Sequence, residues 1–447
     1  MDNTKEKNND LTSGPLTIKI IKFIIPLMLT GILQLLYNAA DSIVVGHYDG
    51  SSALAAVSSV GALINLLVNA FMGLSVGAAV VVAQDYGAKD YEGVSKTVHT
   101  SYLISIIGGI VVGAIGLIFS RQFLIWMESP EDVLPLSTEY LMIYFAGTPA
   151  NMAYNFGASI LRSVGDTKRP LYFLTISGLV NVVLNLVLVI VFHMGVAGAA
   201  ISTLVSRIFC AVVVLIQLRK DRQPIVVRDY LKIRPDWAMI RRILGIGIPS
   251  GVENSMFQLG KIAVLSLVSG LGTASLAANA VGNNIANFAI LPGMSFGFAL
   301  LTVCAQCVGA GDFEQVKYYT KHMMRVEYLC LIASNLIVIL SLPFILSIYN
   351  LSDEAAMYTN DIILYHAACV VTIWPLSFTL PNTLRAAADV KVTMVLSIIS
   401  MWVFRFGFSY LLTMEFHMGI FGVWVAMTID WLVRGIFFVC RYKSGRW

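Results

Sequence analysis

Long stretches without charge dominate the pattern of polar and apolar positions along this chain. Residues 50–84, 170–206 and 262–311 contain no Asp, Glu, Lys or Arg. A helix needs about 20 apolar residues to span a bilayer, so these stretches hold about one, two and two spans. Spanning strands are not expected, because backbone polar groups in lipid must be satisfied inside the spanning element.

The pattern predicts an all-α polytopic membrane protein with twelve transmembrane helices, separated by short polar turns. The predicted helices cover residues 18–46, 53–84, 95–119, 134–160, 170–192, 196–218, 242–269, 275–308, 317–345, 356–383, 392–413 and 419–441.

Lysine and arginine are unevenly divided between the two sets of loops that this arrangement creates. The loops on the side opposite to the termini contain Arg121 as their only basic residue. The positive-inside rule therefore places both termini in the cytoplasm of a multi-pass protein of the plasma (inner) membrane. The basic residues on the predicted cytoplasmic side are Lys5, Lys7, Lys19, Lys22, Lys89, Lys96, Arg162, Lys168, Arg169, Lys317, Lys321, Arg385, Lys391, Arg441, Lys443 and Arg446.

Composition supports the membrane interpretation and excludes several functions. Hydrophobic residues make up 57% and charged residues 13% of the chain, whereas soluble domains carry about 25% charged residues. The sequence has no cluster of basic residues interleaved with aromatic residues, so we do not expect a nucleic-acid partner. Neither a P-loop nor a set of residues with catalytic spacing is found, so we expect neither an enzyme nor a cofactor. We expect the protein to act as a monomer.

The chain repeats itself in three blocks that occur in the same order. Gln84, Gly87 and Asp90 recur 222 residues later as Gln306, Gly309 and Asp312. Leu161 and Arg162 recur 223 residues later as Leu384 and Arg385, and His193 and Gly195 recur 224 residues later as His417 and Gly419. Six helices per half is an even number, so the halves are predicted to be parallel repeats. We expect two pseudo-symmetric six-helix lobes around a central cleft.

The predicted domains follow from this duplication. A cytoplasmic segment covers residues 1–17, the N-lobe 18–219, a basic cytoplasmic linker 220–240, and the C-lobe with a short tail 241–447. The linker is interpreted as solvated, or alternatively as a surface helix on anionic lipid.

Asp41 is the clearest ionisable residue inside a predicted span. It follows Lys22 by 19 residues, about 28 Å along a helix at ~1.5 Å per residue, which places it in the outer half of the first helix. Asn181 and Asn185 are four apart in the fifth helix and share one face, and Thr203 adds a hydroxyl in the sixth. Together these residues form either a sodium site or a network that tunes a titrating Asp41; alternatively the carboxylate is wetted at a helix end and the asparagines join helices.

The second half carries different polar residues. Glu253, Gln258 and Lys261 lie in the seventh helix, where they either line a cavity that takes part in coupling or form structural pairs. Asp430 and Arg434 are four apart, the spacing of a helical ion pair. Arg207 and Arg405 are also predicted to be intramembrane.

Two further sets of repeat-related residues are candidates for conformational roles. Pro26 and Pro249, separated by 223 positions, lie in the first helix of each half, where proline bends a helix and suits a gating element. The charged turns that contain Arg162, Asp166, Arg385 and Asp389 are either local networks or an inner gate between the halves.

The chain resembles the multidrug and toxic compound extrusion (MATE) transporters along nearly its whole length. The resemblance is carried by Asp41-Ser-Ile-Val-Val-Gly46, Gly87-Ala-Lys-Asp90, Leu161-Arg162-Ser-Val-Gly165-Asp166-Thr-Lys168-Arg-Pro170, Asn181, Asn185 and Gly195-Val-Ala-Gly198-Ala-Ala-Ile-Ser-Thr203.

The resemblance implies an antiporter that exports bulky, often cationic organic compounds against inward flow of Na⁺ or H⁺. It places Asp41, Asn181, Asn185 and Thr203 on the family's N-lobe cation site. Some members have a carboxylate in place of Asn185, so one acid remains and the coupling ion is left open. Glu253 does not fall where sodium-dependent members place their seventh-helix acid, and no C-lobe ion site is transferred. A flippase of lipid-linked saccharides with related architecture is the alternative, in which Lys261, Arg207 and Arg405 would serve anionic head groups.

Overall fold

The computed structural model describes residues 16–48, 50–127, 129, 131, 133–220, 235–349 and 351–447, without the side chains of 16–17, 37–56, 58–59 and 220. Regular structure in these residues is helical, with no strand. The helices of the first half are α1 Leu16–Tyr48, α2 Gly50–Gly87, α3 Tyr91–Trp126, α4 Leu134–Ala146, α5 Thr148–Ser163, α6 Lys168–Leu186 and α7 Gly195–Lys220. Those that follow are α8 Trp237–Ser269, α9 Thr273–Gly309, α10 Phe313–Tyr349, α11 Asp353–Val370, α12 Leu380–Ala386, α13 Val390–Ile399, α14 Phe408–Met414 and α15 Gly419–Lys443.

Three short π-helical segments interrupt the α-helices. Val187–Val191 continues α6, Pro375–Thr379 precedes α12, and Ser400–Gly407 joins α13 to α14. Such segments shift the register of side chains around a helix and occur frequently at functional sites.

Every predicted transmembrane helix coincides with one helix or one broken helix, so the twelve-helix prediction is confirmed. Among the described residues, 9 helices are long and apolar enough to cross a membrane, and a bent pair of helices makes a tenth. The remaining two passes are α4 with α5, and α8, which carries Glu253 and Lys261 in its middle.

The fourth pass of each half is broken. In the first half α4 and α5 meet at Gly147, two residues before Pro149. In the second half the chain bends by 64° between α11 and the segment that begins at Pro375. Proline cannot donate a backbone hydrogen bond to the preceding turn, so both breaks have the same local cause.

The sequence duplication is also a duplication of turn geometry. Asp90 accepts a hydrogen bond from the Gly93 backbone N–H at 2.9 Å, and Asp312 accepts one from Gln315 N–H at 2.9 Å. His193 and its equivalent His417 both have positive φ, at 52° and 53°. The same residues therefore start the same helices twice.

The chain divides into two compact units, 1–248 and 249–447, each with its own core. In the first unit, buried apolar side chains from α2, α3, α5, α6 and α7 pack together, among them Val82, Val98, Leu161, Leu174 and Val214. In the second unit the core is rich in tryptophan and includes Ile285, Ile362, Trp374, Trp424 and Trp431.

The boundary between the units falls inside α8, between Ile248 and Pro249, so the N-terminal third of this helix groups with the first unit. The reason is a close backbone contact with α2. A Cβ atom added to Gly77 would collide with the backbone of Ile243 and Gly247, and one added to Gly247 would lie 2.5 Å from the Leu74 carbonyl oxygen. The domain bounds predicted from the sequence stay a prediction.

We expect Gly77→Ala to destabilise the protein, because the added methyl group meets backbone atoms that cannot rotate away. Overpacking costs about 1–3 kcal/mol, which outweighs a helix-propensity gain of up to about 1 kcal/mol. The matched control is Gly245→Ala in α8, where nothing lies within 4 Å of the new atom. Thermal unfolding in detergent measures both, and a Gly77→Ala variant as stable as the control would contradict the contact.

Candidate functional site

Polar side chains of α6 and α7 form a small buried cluster in the first unit. Asn181 and Asn185 are 7% and 1% exposed on α6. Asn181 Nδ2 donates to Thr203 Oγ1 on α7 at 3.3 Å, and that hydroxyl donates to the Ala199 carbonyl at 3.1 Å. Asn181 Oδ1 is buried and has no hydrogen-bond partner among the described residues. The cluster thus offers an amide oxygen and a hydroxyl oxygen, both suitable ligands for a hard cation.

Asp41, the predicted centre of this site, lies in the helical part of α1, but its side chain is outside the described residues. The helix α1 packs directly against α6, the helix that carries Asn181 and Asn185. The backbone therefore supports the predicted grouping of elements, and the position of the Asp41 carboxylate stays a prediction.

A second polar feature of the first unit was not expected from the sequence. A small pocket lies where α4 breaks into α5, and it is lined by Tyr144, Gly147, Asn151, Thr203, Leu204 and Arg207. Asn151 Nδ2 donates to the Tyr144 hydroxyl at 3.2 Å, and Asn155 Nδ2 donates to Asn151 Oδ1 at 3.1 Å. Asn151 and Asn155 have the same four-residue spacing as Asn181 and Asn185, which was the available clue. Thr203 contributes to both the cluster and the pocket.

In the second unit, Glu253 is held in a buried ion pair. Its Oε1 lies 2.7 Å from Arg385 and accepts a hydrogen bond from Ser397 Oγ at 2.7 Å. Arg385 also donates to Asn382 Oδ1 at 2.9 Å. The carboxylate and the guanidinium, 7% and 16% exposed, compensate each other in a region of low dielectric.

Lys261 does not join Glu253, although both lie on α8. The Lys261 ammonium lies over the ring of Phe257, 5.3 Å from its centroid, and the Lys261 side chain is exposed. Gln258, next to Phe257, is half-buried. Glu253 and Lys261 are thus engaged separately, one in an ion pair and the other in an aromatic contact.

The predicted helical pair of Asp430 and Arg434 is confirmed. Arg434 Nε lies 3.4 Å from Asp430 Oδ1, with both side chains almost fully buried in α15. Ser400 Oγ donates to the same carboxylate oxygen at 2.5 Å.

Glu327 is a buried acid that the sequence analysis missed. It is 0% exposed in α10, and one of its oxygens accepts from Thr379 Oγ1 at 2.6 Å. Its second oxygen is buried without a hydrogen-bond partner in the described part of the chain. Glu327 could be seen in the sequence within the predicted helix 317–345, but its partner Thr379, 52 positions away, could not.

Both candidate prolines lie inside continuous helices. Pro26 is buried in α1, where its carbonyl accepts a hydrogen bond from Thr30 Oγ1 at 2.7 Å, and Pro249 is half-buried in α8. The backbone continues as helix past each proline, and the bending role stays a prediction.

The four gate candidates contact residues of their own units. Arg162 donates to Ser159 Oγ at 3.1 Å and Asp166 lies 3.0 Å from Arg169. Arg385 pairs with Glu253, as above, and Asp389 pairs with Arg441 at 2.7 Å. These contacts anchor the turns; a contact between the halves stays a prediction.

An ion pair connects α8 to α2 within the first unit. Arg242 Nη1 is 2.7 Å from Asp85 Oδ1, and its Nη2 donates to Gln84 Oε1 at 3.1 Å. Thr97 Oγ1 donates to the other Asp85 oxygen at 2.9 Å. Asp85 is 7% exposed and Arg242 is 41% exposed, so the pair closes one end of the contact made by Gly77 and Gly247.

Comparison with known proteins agrees with the internal repeat. The family model described as MatE matches the chain twice, over residues 26–187 and 249–411. The chain belongs to the MATE family. It is 31% identical over 419 residues to the probable multidrug resistance protein YoeA of Bacillus subtilis, an alignment that covers 90% of this chain and 88% of that protein.

Other MATE relatives agree over most of the chain. The probable multidrug resistance protein NorM of Thermotoga maritima is 23% identical, covering 96% of this chain and 92% of its own. A solved structure described as the outward-facing conformation of a multidrug resistance MATE family transporter superimposes with a TM-score of 0.90 at 22% identity, covering 98% of each chain. The predicted fold class is thereby confirmed, and the chain is a multi-pass membrane transporter.

We expect Arg385→Met to destabilise the protein strongly, because it leaves the Glu253 carboxylate buried and uncompensated. Loss of one partner of a buried pair costs about 3–5 kcal/mol. The double variant Glu253→Gln with Arg385→Met removes both charges and should recover most of that loss in a thermal unfolding assay. A double variant no more stable than Arg385→Met would show that the ion pair does not explain the effect.

Proposed function

We propose that this MATE protein is an antiporter that exports bulky, often cationic organic compounds in exchange for an inward-moving cation. The observation that carries the proposal is the buried Asn181 oxygen without a partner in the described residues, next to Thr203. A carboxylate from Asp41 on the adjacent helix α1 would complete this site. The names of the relatives, probable multidrug resistance proteins, support the substrate class.

Two coupling ions fit this group of residues. Na⁺ would be bound directly by the oxygen atoms of Asp41, Asn181, Asn185 and Thr203. H⁺ would instead titrate Asp41, with the amides and the hydroxyl stabilising one of its protonation states. One charge moving through 100 mV provides about 2.3 kcal/mol, enough for roughly a 50-fold substrate gradient at one ion per substrate.

Alternating access needs an ion that binds one conformation better than another. The ion's preference for one conformation would act by stabilising or weakening the contact between α2 and the N-terminal third of α8. The pair Asp85–Arg242 would hold this predicted cytoplasmic end closed. Bending of α1 near Pro26 and of α8 near Pro249 would accompany its opening. We place both termini in the cytoplasm, the protein in the inner membrane, and its activity in the monomer.

The anionic alternative, a flippase of lipid-linked saccharides, is favoured by one observation. Lys261, Arg405 and Arg434 all approach the ring of Phe257 in the second unit. Dye efflux and lipid flipping, measured with the same reconstituted protein, separate the two functions.

We expect Asp41→Asn to abolish efflux driven by a gradient, because the variant has no carboxylate to bind Na⁺ or H⁺. Ethidium efflux from proteoliposomes is measured with a pH gradient or a sodium gradient imposed separately, which also identifies the ion. The matched control is Asp361→Asn, which removes an exposed carboxylate of α11. Undiminished efflux in a stably folded Asp41→Asn variant would remove Asp41 from the mechanism.

We expect Arg242→Gln to reduce efflux severalfold, because Asp85 then loses the ion pair that closes α8 against α2. The control is Lys317→Gln, which breaks an exposed pair of similar length, 2.8 Å to Glu314. Exposed pairs contribute little, so equal rates in the two variants would show that the Asp85 pair has no role in the cycle.

A further inference from the structure

The second unit contains a cluster of basic side chains around one aromatic ring. The ring of Phe257 has Lys261 Nζ at 5.3 Å, Arg405 Cζ at 5.3 Å and Arg434 Cζ at 5.4 Å from its centroid. These residues come from α8, the π-helical segment Ser400–Gly407 and α15, so three separate parts of the unit bring their charges to one place. We call Lys261, Arg405, Arg434 and Phe257 the basic cluster.

Negative charge does not balance this cluster. Asp430 is the carboxylate beside it, and that group already accepts from Ser400 and lies 3.4 Å from Arg434. Within the described part of the chain, Lys261 and Arg405 take part in no ion pair. The other buried acids of the unit contact different groups: Glu253 pairs with Arg385, and one oxygen of Glu327 accepts a hydrogen bond from Thr379. Three bases therefore face one acid.

Some hydrogen-bond donors of the basic cluster also have no partner among the described residues. Arg434 is 3% exposed, and its Nε and one Nη atom are buried with no hydrogen-bond partner in the described residues. Buried donors on a charged group are costly to leave unpaired. The aromatic faces of Phe257 and of Phe378, 4.4 Å from Arg434, compensate this charge in part.

The basic cluster is open to a ligand on one side. Lys261 is exposed, whereas Arg405, which approaches the same ring, is 8% exposed. An oxyanion that contacts the Lys261 ammonium would approach the two guanidinium groups, and an aromatic body attached to it would lie against Phe257. Arginine and lysine together bind carboxylate and phosphate oxygens through short, charge-assisted hydrogen bonds.

We propose that the second unit carries a binding site for an organic anion, an oxyanion joined to an apolar or aromatic body, with Lys261 as its entrance residue. It deepens the proposed function by adding acidic and zwitterionic compounds to the substrates. The same oxyanion chemistry is offered by free aromatic carboxylates and by the phosphates of anionic lipids.

The test measures equilibrium binding of 2-naphthoate to the full-length protein in phosphatidylcholine nanodiscs, without any ion gradient. Neutral 2-naphthamide and cationic 2-naphthylmethylammonium have the same ring and serve as matched probes. The charge-assisted contact predicts that naphthoate binds about tenfold or more tightly than the amide. Equal binding of all three probes would overturn the proposal.

Variants assign the binding to the basic cluster. Lys261→Gln should weaken naphthoate binding about tenfold, and Lys261→Arg should retain it. Lys321→Gln, which removes an exposed basic residue of α10 in the same unit, should change nothing. Equal losses in Lys261→Gln and Lys321→Gln would overturn the proposal, because net charge rather than the cluster would then explain the binding.

Two further measurements identify the source of the ligand and distinguish failure of this proposal from failure of the proposed function. Competition by phosphatidylglycerol in the nanodisc, lost in Lys261→Gln, would assign the site to a lipid phosphate; no competition assigns it to free organic acids. Because binding is measured without a gradient, naphthoate binding in Asp41→Asn tests the site independently of transport. Failure of dye efflux would therefore leave the anion site standing, and absence of naphthoate binding would leave the antiporter standing.

Discussion

The cost of an isolated charge in a medium of low dielectric is the constraint on which this structure depends. Each buried ionised group of a spanning helix needs a partner that is supplied from another part of the chain or from a ligand. Glu253 obtains Arg385 and Ser397, and Asp430 obtains Ser400 and Arg434. These contacts determine which faces of the helices meet inside the second unit. A buried polar atom without a partner among the described residues, such as Asn181 Oδ1, is then a candidate contact for a ligand that binds reversibly.

The two halves share a backbone plan and differ in how they treat charge. Arg162 and Arg385 are separated by 223 positions, as are Thr30 and Glu253. In the second unit the arginine reaches an acid, whereas in the first unit Arg162 donates to Ser159 and Thr30 hydrogen-bonds within its own helix. At these equivalent positions the first unit therefore uses hydroxyl partners, whereas the second unit uses an ion pair. Duplication followed by this divergence would allow a cation and an organic anion to be handled by separate units of one chain.

The helices, their number and the repeat could be predicted from the sequence, because the lengths of charge-free segments and the offsets between repeated residues can be read directly from it. It also placed Asp430 with Arg434, whose pairing follows from helical geometry alone. It did not find the partners of Glu327 or Asp85, since those contacts depend on which helix faces pack together. The pairing of Glu253 with Arg385 spans 132 positions, a distance at which spacing carries no information. Asn181 and Thr203 were grouped as polar residues in neighbouring predicted helices, the family resemblance placed them on one site, and the structure joins them by a hydrogen bond.

The crossing of Gly77 and Gly247 has a consequence for how this protein can vary. Where two helices touch through their main chains, no intermediate side-chain size exists that would tighten or loosen the fit by degrees. Adjustment must come from the flank, where Arg242 meets Asp85 at a partly solvated edge. Charges at such an edge respond to dissolved salt, whose screening acts over about 8 Å at physiological ionic strength. The ionic composition of the surrounding water would thus modulate the flank of this contact, whereas any side chain added at its centre would meet backbone atoms.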